Sequence, residues 1–131
     1  MSLLDPFLDL LDSTAVAFVS TIGKSGEPQI TPLWFLRDGE HVRISLVEGR
    51  QKLRNLRRDP RISLAVVDPA RPTYYVELRG RVAELVLDET MDLERRIAVK
   101  YTGEHVDIEP PGAQRFAATI AVEKVTSQRG I

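Results

Sequence analysis

The sequence predicts a mainly β fold: six antiparallel strands forming a small barrel, accompanied by three short helices. Three observations lead there. Apolar runs of strand length, rich in Val, Ile, Phe and Thr, recur along the chain between turns bearing glycine and proline. Hairpin-type turns join most of these runs, where a parallel sheet would need helical crossovers. Six strands in a chain of 131 residues leave edges that a sheet protects by closing on itself. A dinucleotide-binding α/β fold does not fit, because no Gly-x-Gly-x-x-Gly follows the first strand.

The elements follow in order. Leu4, Phe7, Leu8 and Leu11 share one helical face, so Leu3–Leu11 is expected to be a short amphipathic helix. Ala15–Ile22 reads as a buried strand, and Gly23–Glu27 as a turn whose two glycines can take positive φ. Pro28–Leu36 is the second strand, Arg37-Asp38-Gly39 the next turn and His41–Val47 the third strand; Asp38-Gly39 between apolar runs is a hairpin signal. Gly49 breaks the pattern. Gln51–Arg58 is expected to be helical, with Leu53 and Leu56 inward, and Pro60 ends it. Ile62–Val67 is the fourth strand, Pro69 and Pro72 bracket a loop, and Thr73–Leu87 is a long fifth strand with a bulge or bend at Gly80. Asp88 caps a helix running to Tyr101, with Leu93, Ile97 and Tyr101 as its inner stripe. The segment 102–112, with Pro110 and Pro111, is a loop, and Phe116–Val125 the last strand.

Composition narrows the function. The length suits one domain spanning residues 1–131. A formal net charge of −1 gives no overall pull toward nucleic acid or anionic membrane. The absence of cysteine removes thiolate catalysis, disulfides and thiolate metal ligation. The first residues lack a basic leader, and no apolar run reaches the roughly 20 residues that span a bilayer, so a soluble cytoplasmic protein is expected. His41 and His105 stand far apart without a spaced ligand set, so no metal site is expected. No nucleophile motif is present, and no residue stands out as a general acid.

The informative stretch is His41–Pro60. A strand runs through Glu48-Gly49 into a helix whose start carries Arg50 and Lys52. A helix amino end offers unpaired N–H groups and partial positive charge. Two cations there make a compact anion site, to which Ser45 on the incoming strand can add a hydroxyl. These are the parts a phosphate monoester needs. The plainer alternative is a solvated basic surface, the expected role of Arg54, Arg57 and Arg58. The few interleaved aromatics argue against a nucleic-acid patch.

Gly49-Arg50-Gln51-Lys52-Leu53-Arg54-Asn55-Leu56-Arg57-Arg58-Asp59-Pro60 resembles the R-x-K-x-x-N-L-x-x-D-P signature of the pyridoxamine 5′-phosphate oxidase-like split-barrel superfamily. It is most similar to the actinobacterial branch that uses the deazaflavin coenzyme F420. Gly26-Glu27-Pro28-Gln29-Ile30-Thr31-Pro32-Leu33-Trp34 resembles the family's G-x-P-x-x-x-P-x-W element, and Tyr75–Glu84 its Arg-Gly-bearing strand. The motifs keep the family's order over most of Thr14–Glu84, and the likeness weakens after Asp88.

The resemblance implies a six-stranded antiparallel split barrel of the FMN-binding type, assembled as a homodimer with the cofactor site at the subunit interface. The cofactor's phosphate end would be held by Ser45, Arg50 and Lys52. Its ring would lie along the second strand at Gln29, Thr31, Pro32 and Leu33, and Tyr74 and Tyr75 would approach from the partner subunit. Asn55 would fix the loop through side-chain-to-backbone hydrogen bonds, and Asp59 would cap or pair locally. Trp34 is either core filler or a wall of the ring pocket, and Glu77 and Arg79 are either solvated or paired across the two-fold. The C-terminal residues Ser127–Ile131 do not match the Arg and His residues that bind pyridoxamine, so oxidation of that vitamin is not expected. The implied activity is F420-dependent hydride transfer to a small organic acceptor. FMN in the same fold and a non-catalytic cofactor-binding protein are the alternatives. Arg54, Arg57 and Arg58 lean toward F420, whose anionic tail is longer.

Overall fold

A computed structural model describes residues 2–106 and 112–129 and places seven strands in one antiparallel sheet. They are β1 (Ala17–Ile22), β2 (Pro28–Leu33), β3 (Leu36–Asp38), β4 (His41–Val47), β5 (Arg61–Val67), β6 (Tyr74–Leu87) and β7 (Arg115–Arg129). Their order across the sheet is β2-β1-β5-β6-β7-β4-β3, so β2 and β3 are its two edges. Only Trp34 and Phe35 separate these edges in the chain. Three Cα steps at 3.8 Å span at most about 11 Å, so the sheet must curl until its edges nearly meet without pairing. That is a barrel with a seam, the split barrel the sequence pointed to.

The strand count differs by one from the six expected. The expected strand Pro28–Leu36 is cut at the seam, and Leu36–Asp38 pairs with β4 through a two-residue loop at Gly39-Glu40. The physical reason lies far away in sequence. The Phe35 N–H donates to the Tyr101 hydroxyl at 3.4 Å, and the Phe35 carbonyl accepts from the Lys100 ammonium at 3.0 Å. Side chains thus satisfy backbone groups that a continuing ladder would have used. Phe35 itself is fully buried.

Alternation along the strands fills the barrel. Val19, Ile44, Leu64, Leu78 and Ile120 are buried on its inner side, with Leu53 of α2 (Gln51–Arg58) and Leu4 and Leu11 from the N-terminal segment. That segment is a 3₁₀ turn, Asp5–Phe7, followed by α1 (Leu8–Leu11), because Pro6 sits in its first turn. Gly80 marks the expected bulge: the register shifts between Arg79 and Gly80, and a Cβ there would sit 2.0 Å from the Ala121 carbonyl oxygen. The helix α3 (Asp92–Thr102) begins four residues later than expected, after Met91 in the left-handed region at φ 61°. Asp88 still caps it, accepting from the N–H groups of Asp92, Leu93 and Glu94 at 3.0, 3.1 and 3.4 Å.

Residues 107–111, which include the expected loop prolines Pro110 and Pro111, lie outside the described residues, as do 130–131. Among the described residues no helix is long and apolar enough to cross a membrane.

Candidate functional site

The site grows from the junction of β4 and α2. Gly49 turns the chain at φ 89°, and Arg50 takes the N-cap position in extended conformation. The helix therefore starts with Arg50 and Lys52 at its amino end, and no side chain caps its N–H groups. Lys52 is half-buried, and its ammonium is pushed below the usual lysine range, first by burial and then by the neighbouring Arg50 guanidinium. Among the described residues, nothing accepts a hydrogen bond from that ammonium.

Both cations face a cavity of about 310 Å³ at the seam of the barrel. Its lining comes from Pro32, Leu33 and Trp34 at the end of β2, from Ser45, Leu46 and Val47 of β4, from Glu94 and Ile97 of α3, and from Arg115 of β7. Trp34 is held in place by Tyr101: the rings stack at 4.7 Å with 5° between planes. The Tyr101 hydroxyl donates to the Ala15 carbonyl at 2.9 Å, and burial pushes it up to about 12. The apolar wall is thus fixed from behind, while Arg50, Lys52, Glu94 and Arg115 bring charge to the same cavity.

Of the residues named from sequence, Pro32, Leu33, Ser45, Arg50 and Lys52 line this one cavity. Gln29, Thr31 and Tyr75 do not. Gln29 Oε1 accepts from Asn55 Nδ2 at 3.3 Å and from Thr21 Oγ1 at 3.4 Å. The Thr31 hydroxyl is buried without a hydrogen-bond partner. Tyr74 is buried in the core, its hydroxyl donating to Asp9 Oδ1 at 2.9 Å, so it does not reach outward as expected, whereas Tyr75 is exposed on β6, opposite Val67. Trp34 walls the cavity.

Asn55 is structural, yet its side chain does not act on the backbone as expected. It donates to Thr21 Oγ1 at 3.0 Å and accepts from Gln51 Nε2 at 2.7 Å, tying α2 to β1. Asp59 pairs locally: hydrogen bonds from the Arg61 guanidinium and N–H hold its carboxyl down to about 2. Arg57 makes a two-pronged pair with Glu48 at 2.9 and 3.0 Å, and Arg54 donates to the Gly49 carbonyl at 2.6 Å. Glu77 and Arg79 pair within the chain at 3.3 Å. His41 is half-buried and His105 exposed. Two acidic residues named near His105, Asp107 and Glu109, lie outside the described residues. Among the described residues no three His, Cys, Asp or Glu side chains cluster as metal ligands.

Two cavity residues escaped the sequence analysis. Glu94 is buried, 1% exposed, one helical turn before Ile97; a carboxylate inside the inner stripe was the available signal. Arg115 is also buried, and its Nη1 donates to Ser45 Oγ at 2.9 Å. Nothing in the pattern around Phe116 pointed to it.

The profile of the pyridoxamine 5′-phosphate oxidase family matches residues 3–129. The chain belongs to this family. Among solved structures of the family's fold, an F420 reductase is 30% identical, aligned over 92% of this chain and 95% of that one, with a TM-score of 0.83. A conserved hypothetical protein of Mycobacterium tuberculosis is 25% identical over 98% of this chain and 85% of its own, with a TM-score of 0.78. The group A Streptococcus protein HupZ shares the fold at 20% identity and a TM-score of 0.71, covering 97% of each chain.

Proposed function

We propose that this family member is a reductase that binds coenzyme F420 and delivers hydride from it to an electron-poor organic acceptor. The observation that carries the proposal is Lys52: a half-buried ammonium beside a second cation, at a helix amino end, on the rim of a cavity with a flat apolar wall. Burial beside a second cation disfavours the charged Lys52 ammonium until an anion arrives. A phosphoryl group satisfies Arg50 through its fork and Lys52 as a point charge. The wall of Pro32, Leu33 and Trp34 suits an aromatic ring system, so the residues present fit a phosphorylated ring cofactor.

The bound deazaflavin supplies the hydride, and the protein's own work is placement. Arg50 and Lys52 would hold the phosphoryl end, and Trp34 and Leu33, with Trp34 packed on the cluster of Leu93, Ile97 and Ala117, would orient the ring plane. The similarity to an F420 reductase supports this choice of cofactor. A homodimer completes the proposal. A cavity of about 310 Å³ is at the small end for such sites, and Phe18, Ile30 and Tyr75 stand exposed on the outer side of neighbouring strands. A second copy over that side would bring its Tyr75 toward the site and cover Phe18 and Ile30.

FMN is the second reading, favoured by one observation: Arg57 is engaged by Glu48 and Arg54 by a carbonyl, which leaves less free charge for a long anionic tail. Fluorescence titration with F420 and FMN separates the two. Reduced F420 is then mixed with enone, quinone and tetrapyrrole acceptors while its reoxidation is followed. Preferential F420 binding with acceptor-dependent reoxidation is expected. Tight binding without reoxidation makes the protein a carrier, and failure to bind either cofactor ends the proposal.

A further inference from the structure

We propose that Arg115 is a third cationic contact for the ligand's phosphoryl group, and that it sets the Ser45 hydroxyl as a donor into the same cavity. This rests on the phosphorylated-ligand reading above and goes beyond it by assigning a residue on β7.

Strand register builds the pair. Val47 lies opposite Arg115, and Ser45 opposite Ala117, so Ser45 and Arg115 are diagonal neighbours on one side of the sheet. Arg115 is 5% exposed and borders the cavity, and its guanidinium donates to Ser45 Oγ at 2.9 Å. A guanidinium only donates. Ser45 therefore meets it with a lone pair, and its own proton must point elsewhere. A hydroxyl polarised in this way is a stronger donor, and it lies on the cavity wall beside the cations. Arg115, Arg50 and Lys52 line the same cavity. Three cationic side chains around one space suit a phosphoryl group, whose charge is about −1.5 to −2 as a monoester at pH 7.

The test compares ligands with and without phosphate: FMN against riboflavin, and F420 against its unphosphorylated deazaflavin chromophore. Each is titrated into the wild-type protein, Arg115→Met, Arg115→Lys, Ser45→Ala and the Ser45→Ala/Arg115→Met double variant. Arg115→Met should weaken the phosphorylated ligands by about 10- to 100-fold, the loss of a charge-assisted contact, with the unphosphorylated ones nearly unchanged. Arg115→Lys should recover part of the loss, because charge returns without the fork. The double variant should be little worse than Arg115→Met, because Ser45 depends on Arg115 for its orientation.

Equal weakening of both ligand classes would make Arg115 a structural residue and overturn the inference. So would wild-type discrimination in Arg115→Met. Should Arg115→Met fail to fold, Arg115→Gln carries the test: discrimination equal to wild type overturns the inference. A wild-type protein that binds phosphorylated ligands no better than unphosphorylated ones removes both this inference and the proposed function. Discrimination that survives only the Arg115 changes removes this inference alone.

Discussion

Two lysines in this fold are half-buried, and both are pushed below the ordinary lysine value mainly by burial, yet they serve opposite ends. Lys100 lies at the closed end of α3. Its ammonium donates to the carbonyls of Leu11 and Phe35 at 2.9 and 3.0 Å and to the Tyr101 hydroxyl at 3.4 Å, and it sits 3.7 Å from the centre of the Phe35 ring. Lys52 lies at the open end of α2, with Arg50 for company and no acceptor among the described residues. Burial of a cation does not by itself mark a binding site. What separates the two is whether the hydrogen bonds are completed inside the chain. Lys100 pins the seam of the barrel, and Lys52 keeps its hydrogen bonds for the anion proposed above.

The largest effect should come from removing the guest's contacts. Replacing Arg50 and Lys52 with alanine together should weaken binding of the phosphorylated ring cofactor by about 10²- to 10³-fold, the loss of two charge-assisted contacts. Stability in urea should change little by comparison, because both side chains line the cavity and lie outside the barrel core. Lys100→Ala should do the reverse. It strands two carbonyls and should cost about 1–3 kcal/mol in urea denaturation, with phosphate discrimination retained. A Lys52 variant that unfolds, or a Lys100 variant that loses only ligand affinity, would erase the distinction.

How much of this was legible in the sequence follows from the range of each interaction. The strands showed because alternation is a local signal, and Gly80 showed because only glycine tolerates the close approach of Ala121. The amino end of α2 showed because all its parts lie within the stretch from Ser45 to Lys52. The break at Trp34 and Phe35 did not, because its partners, Lys100 and Tyr101, are some 65 residues on. Arg115 was invisible for the same reason, since it meets Ser45 across 70 residues through β4–β7 pairing. Glu94 was closer to reach, since a carboxylate on an apolar helical stripe is itself a signal. Gln29 and Thr31 were placed on the right strand, but nothing local showed that Gln29 would be occupied with Asn55.

A smaller effect sharpens the comparison through pH. The folded Lys100 has its value lowered to about 8 from an ordinary 10.5, so between those values the unfolded chain binds more protons. Stability should therefore rise as pH increases from about 8 toward 10.5. It should be flat below that window, where both states are protonated. The full shift corresponds to about 3.4 kcal/mol, and partial exposure reduces the expected rise to about 1–2 kcal/mol. Urea melts across this range should show the rise in the wild type and lose most of it in Lys100→Met. A wild-type curve that falls with pH there would contradict the burial of this ammonium.

The smallest effect concerns Lys52 and runs the other way. A bound anion stabilises the charged ammonium, so deprotonation of free Lys52 opposes binding. Affinity for the phosphorylated ligand should then decline as pH rises, beginning below the range of an ordinary lysine because burial and Arg50 already lower its value. The ligand's own phosphate does not confuse the measurement, since its second ionisation, near about pH 6, is complete well before that range. The decline should be no more than about tenfold, the loss of one charge among several contacts. Lys52→Arg supplies the control: a guanidinium stays charged throughout, so its profile should be flat. A decline that persists in Lys52→Arg would place the titrating group elsewhere in the site.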